Sequence, residues 1–281
     1  VNILKDILYN VALVSVQGST DVHVNAVHYD SRKINKKDVF VAIKGAQFDG
    51  HSFINSAIEN GASVIVAETL PQTKSNNITY IEVESSSSAF AYMSANFYQH
   101  PSKNLKLIGI TGTNGKTTVA TLLFNLFKAA GYKVGLISTV KIMVDKTTYT
   151  ATHTTPDSLV INSYLKQMND VGVEYCFMEV SSHGIHQHRT KGLHFTGGIF
   201  TNLSHDHLDY HSSFAEYRDV KKSFFDGLPK TAFALTNLDD KNGKIMTQNT
   251  IAKTYSYALK SYADYRTQIL ENHFKGLLLK I

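Results

Sequence analysis

The sequence predicts an α/β protein with a small N-terminal α/β domain followed by a larger domain built on a mostly parallel, helix-wrapped sheet. Two observations lead to this fold class. Short β-rich runs alternate with amphipathic helical stretches along most of the chain, and a glycine-rich turn lies between an apolar strand and a helix. A chain of 281 residues with 43% hydrophobic content is also long enough to bury two cores.

The first domain is predicted to span residues 1–102. One helical stretch, which Gly61 would end, lies among four β-rich runs: VHVNAVHY, DVFVAIKG, ASVIVAE and ITYIEVE. The serine run at 85–88 could serve as a flexible linker or could cap the helix AFAYMSANFYQH. We favour the cap, because Pro101 then follows the end of that helix.

The second domain is predicted to span residues 103–281. Its buried strands are expected at NLKLIGIT, YKVGLIST, VEYCFMEVS, FTGGIFTNL and TAFALTNLD. Two further helices are expected at SLVINSYLKQMNDVG and SFAEYRDVKKSFFDGL. For the helix TTVATLLFNLFKAAG, the spacing predicts one apolar face made of Val119, Leu122, Leu123, Leu126, Phe127 and Ala130.

Composition excludes several classes of protein. No apolar run approaches the roughly 18 residues of a membrane span, and the first residues lack a basic region before a cleavage site, so we expect a cytoplasmic protein without membrane insertion. The net charge is +5, but the lysines are scattered, which favours a small phosphorylated ligand over nucleic acid. Cys176 lies in an apolar run, so we expect a buried, inert thiol.

The strongest local signal is GITGTNGKTT, residues 109–118. Its glycines would let backbone N–H groups approach phosphate oxygens, Lys116 would add a positive charge, and Thr117 would offer a hydroxyl to Mg²⁺. Ile110 occupies the position of the first glycine in the general Walker A spacing, so the motif is a narrower variant. The alternative is a glycine-rich turn that binds no nucleotide. The order of strand, loop and helix favours ATP with Mg²⁺.

Polar side chains follow two later strands. Glu179 closes one strand, while His207 and Asp209 follow another, and the carboxyl ends of parallel strands are where such sheets bind ligands. The segment HGIHQHR resembles a zinc site in composition, but its spacing suits neither one helix face nor a tetrahedral finger. Arg189 in that segment is interpreted as a clamp for a carboxylate or phosphate, with a surface ion pair as the alternative.

Lys221 occupies an unusual position for a cation. It shares one predicted helical face with Phe214, Tyr217 and Phe224, at spacings typical of a packed surface. Two interpretations remain open: the lysine side chain extends along that face to water, or it is buried and functional with a shifted proton affinity.

Four ordered blocks, GTNGKTT, NLSHDHLDYH, YRDVK and TNLDD, resemble the ATP-domain motifs of the Mur ligases. The resemblance implies that Thr117 and Glu179 bind one Mg²⁺ and that His207 and a carbamylated Lys221 bind a second, with Lys116 on the ATP phosphates. The catalytic set is then Lys116, Glu179, His207 and Lys221. The implied ATP-binding residues are Gly112, Thr113, Asn114, Gly115, Lys116, Thr117, Thr118 and Asn237.

The front of the chain, with YDSR and DVFVAIKGAQFDGHSFINSAIENGA, resembles the UDP-binding domain of two branches of that family. The later segments TTPD and EVSSHGIHQHR favour the branch that adds the third residue of the peptidoglycan stem peptide. By this resemblance Ser31 and Gln47 touch the uridine nucleotide. The residues that would hold the muramoyl dipeptide are Thr154, Thr155, Ser181, Gln187 and Arg189.

The resemblance implies an ATP-dependent amide ligase of cell-wall synthesis, with UDP-MurNAc-L-Ala-D-Glu and a diamino acid, meso-diaminopimelate or L-lysine, as substrates. The D-Glu carboxylate would form an acyl phosphate with ATP, which the incoming amine then attacks. We expect a monomer, and a fragment that lacks the family's C-terminal domain, since nothing in the sequence resembles that domain. The alternatives are a folylpolyglutamate synthetase, which shares the ATP domain, and a P-loop module without ligase activity.

Overall fold

The computed structural model describes residues 2–45, 48–206, 210–273 and 276–280. It confirms the α/β class and the large, mostly parallel sheet. The chain forms two compact units. Unit 1 comprises Val1–Pro101, Asp157–Lys166 and Gln187–Leu193, and unit 2 comprises Ser102–Pro156, Gln167–His186 and His194–Ile281.

The strands of unit 1 are β1 (Asn2–Ile3), β2 (Leu13–Gln17), β3 (His23–Val24), β4 (Val27–His28), β5 (Val39–Val41), β6 (Val64–Ala67) and β7 (Thr79–Val83). Its helices are α1 (Leu4–Ile7), α2 (Ile54–Glu59) and α3 (Ser86–Phe97), with 3-10 turns at Ser31–Lys33 and Gly50–Phe53. Five strands form one sheet in the order β2-β7-β6-β5-β4, in which only the pairing of β2 with β7 is antiparallel. β1 pairs with β3 separately.

The central strands of unit 1 are apolar on both faces because both faces are covered. Val39 and Val41 pack with α1 and α3 in one cluster, while Phe40 packs with α2 in another. The predicted helix cap is confirmed: α3 begins at Ser86, and the Ser85 hydroxyl accepts the N–H of Ser88 at 3.3 Å.

The strands of unit 2 are β8 (Lys106–Thr111), β9 (Val134–Ile137), β10 (Lys141–Val144), β11 (Thr147–Thr150), β12 (Tyr175–Glu179), β13 (Gly197–Phe200), β14 (Phe233–Asn237), β15 (Lys253–Ala258), β16 (Tyr265–Arg266), β17 (Gln268–His273) and β18 (Gly276–Lys280). Four helices lie wholly in it: α4 (Lys116–Ala129), α6 (Ser182–His186), α7 (Phe214–Asp226) and α8 (Gly243–Met246). Helix α5 (Ser158–Asp170) begins in unit 1 and ends in unit 2. The chain first leaves unit 1 for unit 2 within a 3-10 turn, Pro101–Lys103.

Nine strands of unit 2 form one sheet in the order β11-β10-β9-β12-β8-β13-β14-β15-β16. In this spatial order, neighbouring strands from β9 through β12, β8, β13, β14 and β15 to β16 are parallel. β10 pairs antiparallel with β9, and β11 pairs antiparallel with β10 at the edge of the sheet. β8 lies at the centre, between β12 and β13, so the loops that follow these three strands emerge at the same edge of the sheet. β17 and β18 form a separate hairpin.

The predicted apolar face of α4 was partly wrong. Leu122 and Leu126 are 61% and 63% exposed, and Ala130 is exposed as well, while Ala120 and Phe124 are buried. Two apolar stripes compete on this helix, and the one that faces the sheet also carries Leu123 and Phe127. That stripe contains both phenylalanines, whose burial removes the larger apolar area from water.

No helix among the described residues is long and apolar enough to cross a membrane.

Candidate functional site

The glycine-rich loop lies at the sheet edge, between the end of β8 at Thr111 and the start of α4 at Lys116. Gly112 has φ +150° and Gly115 has φ +84°, both in the region that favours glycine. A Cβ on Gly112 would also collide with the hydroxyl of Thr201. The loop therefore needs glycine for its conformation and for its close approach to the segment that follows β13.

The segment that follows β13 holds the loop through hydrogen bonds to Asn114. Asn202 accepts the N–H of Asn114 on its side-chain oxygen and donates its side-chain N–H to the Asn114 carbonyl, both at 3.0 Å. The Thr201 hydroxyl donates to the same carbonyl at 2.7 Å. Sequence reasoning did not select Thr201 or Asn202 as site residues, although Asn202 opens the NLSHDHLDYH block.

Lys116 and Lys221 meet at one carbonyl of the loop. Lys116 Nζ donates to the oxygens of Gly112 at 3.0 Å and Thr113 at 2.9 Å, and Lys221 Nζ donates to the Gly112 oxygen at 3.0 Å. Burial, with a smaller contribution from the positive charge of Lys116, lowers the pKa of Lys221 to about 7, and the negative charge of Asp206 opposes both. Burial likewise lowers the pKa of Lys116, against the opposing charges of Glu179 and Asp206.

Helix α7 brings Lys221 to the loop. The Ser213 hydroxyl caps the helix by accepting the N–H of Glu216 at 3.2 Å, and Tyr217, Lys221 and Phe224 are buried on one face. Lys221 is 1% exposed, so its side chain does not extend along the face to water. The neighbouring Lys222 points elsewhere and forms an ion pair with Asp226 at 2.7 Å.

Glu179 ends β12 with a fully buried carboxylate. One carboxylate oxygen accepts the N–H of Thr139 at 2.9 Å, and the other accepts the Thr139 hydroxyl at 3.1 Å. The Thr139 hydroxyl also lies 3.0 Å from that of Thr154. Thr155 donates its hydroxyl to the Glu179 carbonyl and accepts the N–H of Ser181, both at 2.9 Å. Thr154, Thr155 and Ser181 are thus gathered around Glu179.

The site residues of unit 1 form two local arrangements. Ser31 is buried after β4, and its carbonyl accepts the side-chain amide of Asn60 at 2.9 Å. Arg189 donates from Nε and Nη2 to the Gln187 side-chain oxygen at 3.0 and 2.5 Å. Its carbonyl accepts the Ser158 hydroxyl at 3.1 Å. The Gln187 and Arg189 side chains are therefore placed together.

The remaining predicted residues divide between the loop and the next strand. Asn114, Gly115, Thr117 and Thr118 all belong to the loop or the first turn of α4. Asn237 ends β14, and its side-chain amide donates to the Thr201 carbonyl at 2.8 Å.

Three residues of the sequence predictions, Gln47, His207 and Asp209, lie outside the described residues. Cys176 is fully buried as expected, and burial raises the pKa of its thiol.

Hard oxygen donors suit Mg²⁺ at this edge of the sheet. The Glu179 carboxylate is buried at a strand end, and its charge partly opposes the lowering of the Lys116 pKa by burial. Thr117 lies in the first turn of α4. A carboxylate and a hydroxyl beside a phosphate-binding loop therefore fit a Mg²⁺–nucleotide complex.

Two family models match the chain. The Mur ligase middle domain matches residues 110–281, and the catalytic domain of the Mur ligase family matches residues 23–101. Among curated relatives, the UDP-N-acetylmuramoyl-L-alanyl-D-glutamate--2,6-diaminopimelate ligases of Cytophaga hutchinsonii and Phocaeicola vulgatus are each 50% identical over 99% of this chain. The chain spans 57% of the length of both relatives.

Solved structures show the same fold at lower identity. A UDP-N-acetylmuramoyl-L-alanyl-D-glutamate--2,6-diaminopimelate ligase matches with a TM-score of 0.83 at 24% identity, over 99% of this chain and 57% of that chain. MurF from Acinetobacter baumannii matches with a TM-score of 0.64 at 17% identity, over 95% and 56%. A folylpolyglutamate synthase from Mycobacterium tuberculosis matches with a TM-score of 0.51 at 14% identity, over only 68% and 51%. From the family models and the 50% identical relatives together, it follows that the chain belongs to the Mur ligase family.

Proposed function

We propose that the protein carrying this chain is an ATP-dependent amide ligase of peptidoglycan synthesis that joins meso-diaminopimelate to UDP-MurNAc-L-Ala-D-Glu. The observation that carries the proposal is the convergence of Lys116 and Lys221 on the Gly112 carbonyl, in a phosphate-binding loop that lies beside Glu179. The names of the 50% identical relatives, which are diaminopimelate ligases, support the choice of substrates. L-lysine remains the alternative amine.

In this proposal the loop and Lys116 bind the ATP phosphates, and Asn237 lies near the adenine. The glycines of the loop allow backbone N–H groups to approach phosphate oxygens, and the N-terminus of α4 favours negative charge. A carboxylate that approaches a triphosphate is repelled, so binding and screening of charge are the principal contribution of the protein. Bound Mg²⁺ would supply further neutralisation of the phosphate charge.

Thr117 and Glu179 would hold one Mg²⁺, and His207 with a carbamylated Lys221 would hold a second. The pKa of Lys221 near 7 supports a neutral amine at physiological pH. Such an amine adds to CO₂ and releases one proton, which gives a carbamate anion. The modification would replace a buried cation beside Lys116 with an oxygen ligand suited to Mg²⁺.

The reaction then follows from the chemistry of the substrates. An oxygen of the D-Glu side-chain carboxylate attacks the γ-phosphorus of ATP, and ADP leaves, which gives an acyl phosphate. The amine of the diamino acid attacks the acyl carbon, phosphate leaves, and the amine loses a proton. The residues proposed to hold the muramoyl dipeptide for these steps are Thr154, Thr155, Ser181, Gln187 and Arg189.

Residues 1–102 are proposed as the UDP-binding domain, with Ser31 and Gln47 on the uridine nucleotide, and residues 103–281 as the ATP-binding domain. The separate matches of two family models to the front and the rest of the chain support this division. The reaction is placed in the cytoplasm, where ATP is supplied, and the protein is proposed to act as a monomer.

The test is product formation by the native protein. It is supplied with Mg-ATP, UDP-MurNAc-L-Ala-D-Glu and either meso-diaminopimelate or L-lysine, and the products are identified by mass. The expected product is the UDP-MurNAc-tripeptide with diaminopimelate, formed with one ADP per amide bond. Glutamate addition to a folate would instead indicate a folylpolyglutamate synthetase, and ATP hydrolysis independent of any UDP-sugar would indicate a P-loop module without ligase activity.

A further inference from the structure

The hydroxyl of Tyr217 is buried where α7 contacts the phosphate-binding loop. Tyr217 is fully buried, and its Oη lies 3.1 Å from the hydroxyl oxygen of Thr113. The ring also lies beneath Lys221, whose Nζ is 4.8 Å from the ring centroid. Sequence reasoning placed Tyr217 on the buried face of the helix but gave it no role.

A count of protons assigns the direction of this hydrogen bond. The Thr113 hydroxyl oxygen accepts the N–H of Ser204 at 3.0 Å, and the same hydroxyl donates to the Ser204 carbonyl at 3.3 Å. A threonine hydroxyl has one proton and two acceptor positions, so its remaining capacity toward Tyr217 is as an acceptor. Tyr217 therefore donates.

Helix α7 thus holds the loop at two consecutive residues. Lys221 donates to the carbonyl of Gly112, and Tyr217 donates to the side chain of Thr113. The two donors are four residues apart and share one face of the helix. The N–H of Thr113 also donates to the carbonyl of Asn202 at 2.8 Å, so Thr113 connects the loop to both α7 and the segment after β13.

We propose that Tyr217 is a positioning residue for nucleotide binding, whose hydroxyl fixes the side chain of Thr113 and thereby the conformation of loop 112–115. The inference rests on the proposed function, because it requires that this loop binds ATP. The Tyr217 hydroxyl contacts Thr113 of the loop, so its effect on the nucleotide would be transmitted through the loop.

The test is the affinity of the chain for Mg-ATP, measured by titration calorimetry on the wild type and on Tyr217→Phe. Phenylalanine keeps the ring beneath Lys221 and removes only the hydroxyl. We expect binding to weaken about fivefold, the effect of one neutral hydrogen bond. The matched control is Tyr80→Phe, because Tyr80 is also buried and its hydroxyl accepts the N–H of Ser75 at 3.0 Å in unit 1. The control should lower the melting temperature and leave Mg-ATP affinity unchanged.

A double-mutant cycle with Thr113→Val separates positioning from general destabilisation. If the Tyr217 hydroxyl acts through Thr113, Tyr217→Phe should weaken binding less than twofold when valine already occupies position 113. Thr113→Ser keeps the hydroxyl and should restore the full effect of Tyr217→Phe. Additive losses in the cycle, or equal Mg-ATP affinity in wild type and Tyr217→Phe, would overturn the inference alone. No Mg-ATP binding by the wild type would instead overturn the proposed function.

Discussion

Lys116 and Lys221 donate hydrogen bonds to the same oxygen, the carbonyl of Gly112, at 3.0 Å each. Two ammonium groups in such proximity repel each other, and neither is well solvated. The strain is relieved when one of them loses its proton, and the more deeply buried Lys221 has its pKa lowered to about 7. Burial, together with the nearby charge of Lys116, thus gives Lys221 a large neutral fraction near physiological pH, and the neutral amine is the state that carbamate formation requires.

The first prediction is that Lys221 makes stability depend on pH. Its pKa is about 7 in the folded chain and 10.5 ordinarily, so between these values the unfolded chain binds more protons and the wild type gains stability as pH rises. Lys221→Met lacks this gain. The free energy of unfolding of the wild type minus that of the variant should therefore be flat below pH 7 and rise above it, by at most about 1.4 kcal/mol per pH unit.

Urea unfolding at pH 6, 7.5 and 9 in CO₂-free buffer, without nucleotide or metal, measures this difference. Lys222→Met is the matched control, since Lys222 pairs with Asp226 on another side of α7. Its difference from the wild type should not change across the same window. A flat difference for Lys221→Met would contradict the prediction.

The second prediction compares two glycines of the loop. An alanine Cβ at Gly112 would meet the Thr201 hydroxyl and lie 2.9 Å from the Asn202 carbonyl, whereas at Gly115 it would find no heavy atom within 4 Å. Gly112→Ala should cost about 2 to 3 kcal/mol through overpacking and a left-handed backbone. Gly115→Ala should cost only about 1 kcal/mol of backbone strain. Chemical unfolding without nucleotide measures both, and a larger loss for Gly115→Ala would refute the steric argument.

The third prediction separates the two cations assigned to different ligands. Lys116 belongs to the phosphate-binding loop, and the Arg189 guanidinium is held by Gln187 in unit 1. Lys116→Ala should weaken Mg-ATP binding at least about tenfold, and Arg189→Ala should spare ATP and weaken UDP-MurNAc-L-Ala-D-Glu binding by a similar factor. Calorimetry with each ligand tests the division. Arg189→Lys keeps the charge but loses the planar fork, so it should recover little of the loss. Equal loss of both ligands in both alanine variants would show that the site is divided wrongly.

The sequence was most informative where burial imposes a pattern. β8 and β12 were predicted because each is a continuous apolar run, as a strand covered on both faces must be. β10 and β11 were missed, because β11 is largely exposed and their tight turn places Asp145, not glycine, at positive φ.

Contacts between distant parts of the chain were beyond sequence reasoning. The pairing of Thr113 with Tyr217 spans 104 residues, and that of Asn114 with Asn202 spans 88. Nothing in local spacing indicates such a contact. The unusual position of Lys221 could be predicted, because helical spacing alone places this lysine on a face with aromatic residues. Its hydrogen bond to the Gly112 carbonyl could not be predicted, because the two residues are distant in sequence.

The fourth prediction concerns His51, a histidine to which the sequence assigned no role. Its Nδ1 lies 2.6 Å from the Asp49 carboxylate, and its Nε2 accepts the N–H groups of Glu68 at 3.1 Å and Thr69 at 3.4 Å. The imidazole thus joins the turn before α2 to the end of β6. His51→Ala leaves two N–H groups without this acceptor and should cost about 1 to 2 kcal/mol.

Hydrogen exchange at Glu68 and Thr69 reports on this contact directly, and both amides should exchange faster in His51→Ala. His273→Ala serves as the control, because the exposed His273 pairs with the Glu271 side chain at 2.8 Å in the separate β17–β18 hairpin. Unchanged exchange at both amides in His51→Ala would show that the imidazole does not hold the end of β6.

The fifth prediction tests which stripe of α4 holds the helix on the sheet. Phe124 is 3% exposed and packs against the β8 and β12 side chains Ile110 and Phe177, whereas Leu122, two residues earlier, is 61% exposed. Phe124→Ala should therefore cost about 3 to 4 kcal/mol, because it removes a buried ring and leaves a cavity. Leu122→Ala removes a side chain of comparable apolar character from the exposed stripe and should change the free energy of unfolding by less than about 0.5 kcal/mol.

Urea unfolding of the two variants gives both values under one set of conditions. Similar losses would mean that both stripes of α4 are buried, and a large loss in Leu122→Ala alone would mean that the helix buries the face that sequence periodicity predicted.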